Sequence, residues 1–305
     1  MNMPADHEQW RRERQQMEAL PGRSSILGPR PTSLLVGFEW LTALALRLAG
    51  LWNRGRENAR RVRLLDLDLP CPGLPTAFDG FSILHLSDLH VGNVAGLEAE
   101  LAACLKGVRV DLAVLTGDYQ TRGQPSATQT LEILSPVLQA YRATEGTIAV
   151  LGNHDSWQMA EEFRHHGVST LVNDRLTLHR HGAEITVLGL DDVNRFFTPA
   201  AIEAFDTRVT GFTIVLAHTP DLATRAAHAG AALYLCGHTH GGQICLPGGK
   251  AVFTALDTHQ HLAAGLWRLE NMWGYTSRGV GTGLPPVRFN CPGEATLFRL
   301  RSSDT

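Results

Sequence analysis

The alternation of apolar and polar positions predicts a series of short strands and helices that begins near residue 60. Short apolar runs bounded by Gly, Pro, Asn and Asp are typical of buried strands, and longer amphipathic stretches are typical of helices. The predicted strands are 62–68, 81–87, 110–116, 146–151, 176–181, 184–190, 212–217, 232–236, 251–254, 265–269, 273–277 and 295–300. The predicted helices are 94–106, 126–142, 157–166, 198–205 and 220–229. Because strands and helices alternate in the first half, we expect an α/β fold with parallel strands and helices outside the sheet.

The first 60 residues follow a different pattern. Residues 1–33 are polar, charged and interrupted by proline, and we expect them to form a flexible lead. Residues 34–52 are almost entirely apolar and just long enough to span a bilayer, but Glu39 and Arg47 interrupt them. Inserting each of these two charges near the membrane centre costs about 2.5–3.5 kcal/mol. Together they nearly cancel the favourable insertion free energy of the apolar residues. We therefore expect a helix that lies in the membrane interface rather than a true span.

A basic run follows this apolar segment and suits the anionic headgroups of a cytoplasmic leaflet. Its arginines are Arg54, Arg56, Arg60, Arg61 and Arg63. We divide the chain into a flexible lead (1–33), an apolar helix with a basic flank that associates with a membrane (34–60), and a catalytic domain (61–305). This division predicts a location at the inner (cytoplasmic) membrane, peripheral or with a single anchor, with the catalytic domain on the cytoplasmic side. The alternatives are that 34–52 packs on the protein itself or acts as an export signal.

Composition narrows the possible classes of function. The chain has 305 residues, of which 44% are hydrophobic and 19% charged, so it can bury a sizeable core. Its formal net charge of -3 gives no general attraction for nucleic acid, and we expect no nucleic-acid partner. The five cysteines are scattered and contain no Cys-x-x-Cys pair, which argues against a disulfide framework and fits a reducing compartment.

Polar clusters follow five of the predicted strands at the point where each strand ends. In chain order the clusters contain Asp88 and His90, then Asp118, then Asn153 and His154, then His218, then His238 and His240. Because ligands bind at the carboxyl ends of the strands in α/β sheets, we expect these side chains to converge on one rim of the fold.

All of these side chains except His154 form a set of seven candidate metal ligands. Imidazole suits Zn, Fe and Mn, whereas carboxylate and amide oxygens suit harder ions such as Mn. Seven ligands are too many for one ion, but they suit two divalent ions that share a carboxylate. Such pairs lie roughly 3.5–4 Å apart and clamp the attacking and leaving oxygens of a phosphoryl group. We expect two Mn ions, with Fe or Zn as alternatives.

The ordered blocks Asp-x-His, Gly-Asp, Gly-Asn-His-Asp, His and Gly-His-x-His resemble the calcineurin-like metallophosphoesterase superfamily over about residues 80–245. The resemblance implies a four-layer α/β/β/α sandwich, here with an N-terminal apolar helix. It also implies a metal-dependent hydrolase of phosphoric ester or pyrophosphate bonds. The segments GHTHGGQICLP and YTSRGVGTGLPPVRFNCPGE are similar to a narrower bacterial branch. That branch includes membrane-linked phosphodiesterases and a UDP-2,3-diacylglucosamine pyrophosphatase of lipid A synthesis.

The resemblance implies a metal-binding role for each ligand. The first ion would be held by Asp88, His90, Asp118 and His240. The second ion would be held by Asp118, Asn153, His218 and His238. Asp118 would therefore bridge the two ions.

His154 matches the histidine that protonates the leaving oxygen or steadies the transition state in this superfamily. Thr121 stands where the related protein phosphatases carry an aspartate that orients this histidine. We therefore expect Asp155 or a backbone carbonyl to orient His154 here. Arg122 and Arg278 are the candidate contacts to substrate phosphate.

Two functions fit these observations. The first is hydrolysis of a phosphodiester or pyrophosphate bond in a lipid-linked substrate, such as UDP-2,3-diacylglucosamine, at a membrane surface. The alternative is a broad-specificity phosphodiesterase or phosphatase acting on phosphorylated soluble substrates, with the N-terminal helix only a tether. A binding scaffold would be expected to lack ligands, and the set is complete. A nuclease would need a basic, aromatic-lined groove, and no basic stripe is evident outside 54–63.

Overall fold

The computed structural model describes residues 5–20, 25–26, 32–206, 211–254, 256 and 260–303. Its helices are α1 (Ala5–Ala19), α2 (Thr32–Leu48), α3 (Trp52–Arg60), α4 (Leu97–Leu105), α5 (Ala127–Ala140), α6 (Gln158–His165), α7 (Ala200–Glu203) and α8 (Ala223–His228). Its strands are β1 (Val62–Pro72), β2 (Ser82–Leu86), β3 (Arg109–Val110), β4 (Leu112–Thr116), β5 (Arg142–Ala143), β6 (Thr147–Val150), β7 (Val168–Thr170), β8 (Asp174–Arg180), β9 (Ala183–Gly189), β10 (Thr213–Leu216), β11 (Leu233–Cys236), β12 (Gly265–Leu269), β13 (Met272–Thr276) and β14 (Gly293–Ser303).

The first sheet has six strands in the order β1-β14-β2-β4-β6-β7. Strands β2, β4, β6 and β7 are parallel, with Leu84 opposite Ala113 and Val114 opposite Ile148. The C-terminal strand β14 lies between β1 and β2, parallel to the former and antiparallel to the latter. The end of the chain therefore completes the sheet that carries the first three polar clusters.

The second sheet also has six strands, in the order β12-β13-β11-β10-β9-β8. Its four central strands are parallel, and the edge strands β12 and β8 pair antiparallel to their neighbours. Strands β10 and β11 carry the remaining two polar clusters at their carboxyl ends. Both sheets therefore contribute loops to the site, as a mixed α/β fold allows.

Three apolar clusters hold these elements together. The first cluster packs α4, α5 and α6 against the first sheet, the second lies between the two sheets, and the third packs α7 and α8 against the second sheet. Successive strand residues enter different clusters because their side chains point to opposite faces of a sheet. Thus Ile83 lies in the second cluster and Leu84 in the first, while Leu216 lies in the second and Val215 in the third.

Most of the predicted strands are present, and the differences have local causes. At 251–254 the pattern predicts a strand, but the structure has an isolated bridge between Ala251 and Cys245. The short strand β7 was not predicted, because three residues after a helix carry too little periodicity to identify a strand.

The N-terminal segment differs from the expected flexible lead over residues 5–19, which form helix α1. The physical reason is that α1 packs on the α/β fold and buries Arg14 completely. Residues 1–4, 21–24 and 27–31 of that lead lie outside the described residues. Helix α2, which begins at Thr32 and ends at Leu48, covers most of the apolar segment predicted at 34–52. Among the described residues, no helix combines the length and the apolar character needed to cross a membrane.

Candidate metal centre

The loops that follow β2, β4, β6, β10 and β11 meet beside one another, and main-chain hydrogen bonds link them. The N–H of Asp88 donates to the carbonyl of Gly117 at 2.9 Å, and the N–H of His90 donates to the carbonyl of Asp118 at 3.0 Å. In the second sheet, the N–H of Gly237 donates to the carbonyl of His218 at 2.9 Å. These bonds hold neighbouring loops in a fixed relation and bring the polar clusters together.

Six of the seven predicted ligands form two compact groups. The first group contains Asp88, His90 and His240, and the second group contains Asp118, His218 and His238. Within each group, one ligand atom from each residue lies within 4.8 Å of the others. The seventh predicted ligand, Asn153, lies beside the second group, with its Oδ1 3.1 Å from Nε2 of His218.

The carboxylate of Asp118 reaches both groups. Its Oδ2 lies 3.1 Å from Nε2 of His218 in the second group and 3.6 Å from Nε2 of His90 in the first. A carboxylate oxygen close to both groups suits a ligand shared between two ions.

Two of the histidines are oriented by backbone carbonyls. Nδ1 of His90 lies 3.0 Å from the carbonyl oxygen of Gln120, and Nδ1 of His218 lies 2.8 Å from that of Thr116. Because a carbonyl oxygen only accepts hydrogen bonds, each Nδ1 carries the proton. As a neutral metal ligand, each ring would therefore present its lone pair at Nε2, which is the atom that faces the other ligands.

The pKa values of the two buried carboxylates shift in opposite directions. Burial raises the pKa of Asp88 to about 7. Burial also acts to raise the pKa of Asp118, but the neighbouring His218 holds it well below its usual range. Uncompensated buried charge costs several kcal/mol, and divalent cations relieve that cost. The mixed imidazole, carboxylate and amide donors fit two ions of the Mn, Fe or Zn type.

The backbone around the ligands is strained. Five of the predicted ligands have positive φ angles between 41° and 73°, namely Asp88, His90, Asp118, His238 and His240. Residues other than glycine seldom adopt this region, at a cost of about 1–3 kcal/mol each, and such strain concentrates at functional sites. Close packing requires glycine at position 237, where a Cβ atom would overlap Oγ of Ser87 and Oδ2 of Asp88.

His154 lies at the edge of the cluster and is partly exposed. Its Nδ1 accepts a hydrogen bond from the backbone N–H of Arg122 at 3.0 Å, and its own N–H donates to Oδ1 of Asp118 at 2.8 Å. Desolvation lowers the pKa of His154 to about 3, which favours the neutral ring. Because Nδ1 is an acceptor, the neutral ring carries its proton on Nε2.

The prediction that Asp155 or a backbone carbonyl orients His154 is wrong. The backbone N–H of Arg122 takes that role, and a main-chain donor leaves no signal in the sequence. Asp155 instead accepts four backbone hydrogen bonds, from Gly152, Asp118, Tyr119 and Gln120. Its carboxylate thereby fastens the loop after β6 to the loop after β4.

The two predicted phosphate contacts are paired with carboxylates. Arg122 lies at the rim, and one of its guanidinium nitrogens is 3.3 Å from Oε2 of Glu39 in helix α2. Arg278 donates to Oε2 of Glu294 at 2.9 Å. Both arginines are partly exposed, so a phosphate could compete for either guanidinium.

Sequence reasoning missed a third arginine beside the site. Nη1 of Arg195 donates to the carbonyl oxygen of Asn153 at 3.3 Å, and the guanidinium lies 5.0 Å from the ring centroid of Phe196. The backbone N–H of Arg195 donates to Oδ2 of Asp192 at 2.7 Å, which turns the chain after β9 toward the ligands. The pair Asp191-Asp192, which follows strand β9, was the sequence signal for this turn.

Comparison with known proteins agrees with this geometry. The calcineurin-like phosphoesterase family matches residues 81–242, which include all seven candidate ligands and His154. The uncharacterized metallophosphoesterase YkuE of Bacillus subtilis is 30% identical over 250 residues, covering 76% of this chain and 82% of that protein. Phosphodiesterase YaeI of Escherichia coli is 30% identical over 231 residues, covering 72% of this chain and 82% of that protein. The UDP-2,3-diacylglucosamine pyrophosphatase LpxG of Chlamydia trachomatis is 25% identical over 313 residues, covering 83% of this chain and 93% of that protein. Because the family match spans more than half of the chain, this chain belongs to the calcineurin-like phosphoesterase family and is a metal-dependent hydrolase.

Proposed function

We propose that this protein hydrolyses a phosphodiester or pyrophosphate bond in a lipid-linked substrate, with UDP-2,3-diacylglucosamine as the specific candidate. The observation that carries the proposal is the position of Asp118, whose carboxylate lies within 3.6 Å of one ligand group and 3.1 Å of the other. Two divalent ions, for which we propose Mn, would share this residue. The first ion would also be held by Asp88, His90 and His240, and the second by Asn153, His218 and His238.

The protein's own residues position the reacting groups. When bound, two such ions lower the pKa of a water molecule and polarise the phosphoryl group. His154 holds a proton at Nε2 and donates it, as a hydrogen bond, to the leaving oxygen. A positioned donor of this kind contributes about 10²–10⁴-fold to the rate. Arg122 and Arg278 would bind phosphate oxygens in exchange for Glu39 and Glu294.

Helix α2 supports a lipid-linked substrate. Its apolar side chains Trp40 and Leu48 are 68% and 81% exposed, and Leu41 and Leu44 are also exposed. Glu39 of the same helix contacts Arg122, whose backbone holds His154. An exposed apolar surface within reach of the catalytic histidine suits a substrate whose acyl chains stay in a membrane. The similarity to LpxG points to the same class of substrate.

The arginines of the basic flank support a membrane surface as the partner. Arg54, Arg56, Arg60, Arg61 and Arg63 are all exposed. Each basic side chain near an anionic surface contributes about 1 kcal/mol of attraction. We therefore propose that 34–60 associates with the cytoplasmic face of the inner membrane and that 61–305 is the catalytic domain. The four-layer α/β/β/α order is part of the same proposal, and the three apolar clusters support it.

The alternative is a broad-specificity phosphodiesterase acting on soluble substrates. It is supported by the 30% identity to phosphodiesterase YaeI and by the half-exposed side chain of Arg122, which leaves the rim accessible from solvent. Under this alternative α2 would serve only as a tether.

A direct comparison of two substrates separates the two functions. We would measure kcat/KM of the Mn-loaded full chain for UDP-2,3-diacylglucosamine in mixed micelles and for bis-p-nitrophenyl phosphate. We expect a preference of at least about 10-fold for the lipid-linked substrate, since its acyl chains add binding at the apolar face. Equal or lower kcat/KM for the lipid would favour the alternative. His154→Ala, with His179→Ala at an exposed position as its control, ties either activity to this site.

A further inference from the structure

Helix α1 places a charged side chain inside the protein, next to the loop that carries Asn153 and His154. The side chain of Arg14 has no exposed surface. Its Nη2 donates to the carbonyl oxygen of Gly152 at 2.9 Å and to that of Asp155 at 3.0 Å. These two carbonyls flank Asn153 and His154 on either side in the chain.

The same guanidinium is held from two further directions. Its Nη1 donates to Oδ1 of Asp191, and its central carbon lies 3.9 Å from the ring centroid of Phe196. Asp191 also accepts a hydrogen bond from Nε1 of Trp10, one turn earlier on α1, at 2.6 Å. Near the other end of the helix, Glu18 accepts the backbone N–H of Trp157 at 2.7 Å. Helix α1 is thus fastened on both sides of the loop at 152–155.

The burial of Arg14 restricts the conformation of that loop. A buried guanidinium costs several kcal/mol unless its donors are paired, so the carbonyls of Gly152 and Asp155 must face it. Since a peptide unit is planar, the direction of each carbonyl also sets the direction of the neighbouring N–H and the path of the chain between them. That path decides where Asn153 and His154 project.

We propose that Arg14 is a positioning residue: through the carbonyls of Gly152 and Asp155 it holds Asn153 at the second metal group and His154 at the leaving oxygen. Helix α1 therefore contributes to the geometry of the active site. This role rests on the proposed dimetal function. Partners that orient metal ligands in this way change metal affinity by about 10–100-fold when removed.

Metal binding to Arg14→Met tests the role without relying on turnover. Apo protein would be titrated with Mn²⁺ by calorimetry, and the exchange-coupled signal of a Mn pair would be followed by electron paramagnetic resonance. We expect Arg14→Met to bind the first ion as the wild type does and the second about 10–100-fold more weakly, with a mononuclear spectrum at limiting Mn²⁺. Arg12→Met is the matched control, because Arg12 lies on the same helix with 71% of its side chain exposed. This control should bind both ions as the wild type does.

The outcomes separate this role from the proposed function. If the wild type bound only one ion, the dimetal function would fail before any variant was compared. If the wild type and Arg14→Met bound two ions equally well, only the positioning role would be overturned. Should Arg14→Met not fold, Arg14→Lys replaces it, because lysine keeps the charge but cannot form the fork to both carbonyls. A folded Arg14→Lys variant with wild-type affinity for the second ion would overturn the role as well.

Discussion

Oδ2 of Asp155 accepts a hydrogen bond from the backbone N–H of Asp118 at 2.8 Å. The carboxylate of one loop thereby holds the main chain of the residue that reaches both metal groups. The same carboxylate accepts three more backbone N–H groups, so its contribution is the geometry of two loops rather than contact with substrate. The left-handed φ of 57° at Asp118 is maintained by these bonds.

Replacing Asp155 with alanine should therefore destabilise the protein and loosen the site. Four buried donors would lose their acceptor, and each such loss costs about 1–3 kcal/mol. We expect the free energy of unfolding in urea to fall by about 3 kcal/mol or more. Asp79→Ala is the control, because Asp79 is exposed and accepts one backbone N–H, from Ser302. An equal effect of the two substitutions would contradict the role of Asp155.

Replacing Asp118 with asparagine should remove both metal ions. The variant keeps the size of the side chain but removes the negative charge that both ions would share, so both ions should bind more weakly. We expect metal content after dialysis, measured by plasma mass spectrometry, to fall toward zero, and turnover to fall by more than about 100-fold. The exposed Asp206→Asn should retain both ions. Loss of only one ion from Asp118→Asn would show that the residue is not shared.

His154→Ala should separate metal binding from catalysis. The imidazole of His154 is not among the proposed ligands, so metal content should match that of the wild type. Turnover should fall by about 10²–10⁴-fold because the leaving oxygen loses its donor. The deficit should be smaller for substrates whose leaving group has a low pKa, such as p-nitrophenol esters. A uniform deficit across leaving groups would argue that His154 acts on binding instead.

His85 should make the protein sensitive to acid. It is fully buried, its Nε2 lies 2.8 Å from Oγ1 of Thr116, and burial lowers its pKa to about 3. In the unfolded chain its pKa returns to about 6.5. Below that pH, His85 is protonated in the unfolded state but stays neutral in the folded state. This neutral histidine therefore contributes stability that is complete above about pH 6.5 and is lost as the pH falls toward 3.

Urea unfolding of metal-free protein at two pH values measures this effect. Between about pH 6.5 and about pH 5, the wild type should lose about 2 kcal/mol more stability than His85→Gln, in which position 85 does not titrate. The exposed His179→Gln should lose as much stability as the wild type. A parallel loss in the wild type and His85→Gln would show that His85 is not held in the neutral form.

The strand ends and the set of candidate ligands could be predicted because their signals are local. Asp88, Asp118 and His218 each lie just after an apolar strand, and the geometry of α/β sheets brings such strand ends together. The order of the blocks was sufficient to indicate the family. None of these inferences required knowing which loops touch.

The sequence by itself therefore determined the α/β class, the family and the list of candidate ligands, because strand periodicity and motif spacing depend on residues close together in the chain. The tertiary structure alone decided which groups orient those ligands. Arg14 bonds to carbonyls 138 and 141 positions away, and the proton donor to Nδ1 of His154 is a backbone N–H, 32 positions distant. In each of these contacts a side chain meets a main-chain atom. Every residue carries such atoms, so the sequence pattern does not predict which one takes part.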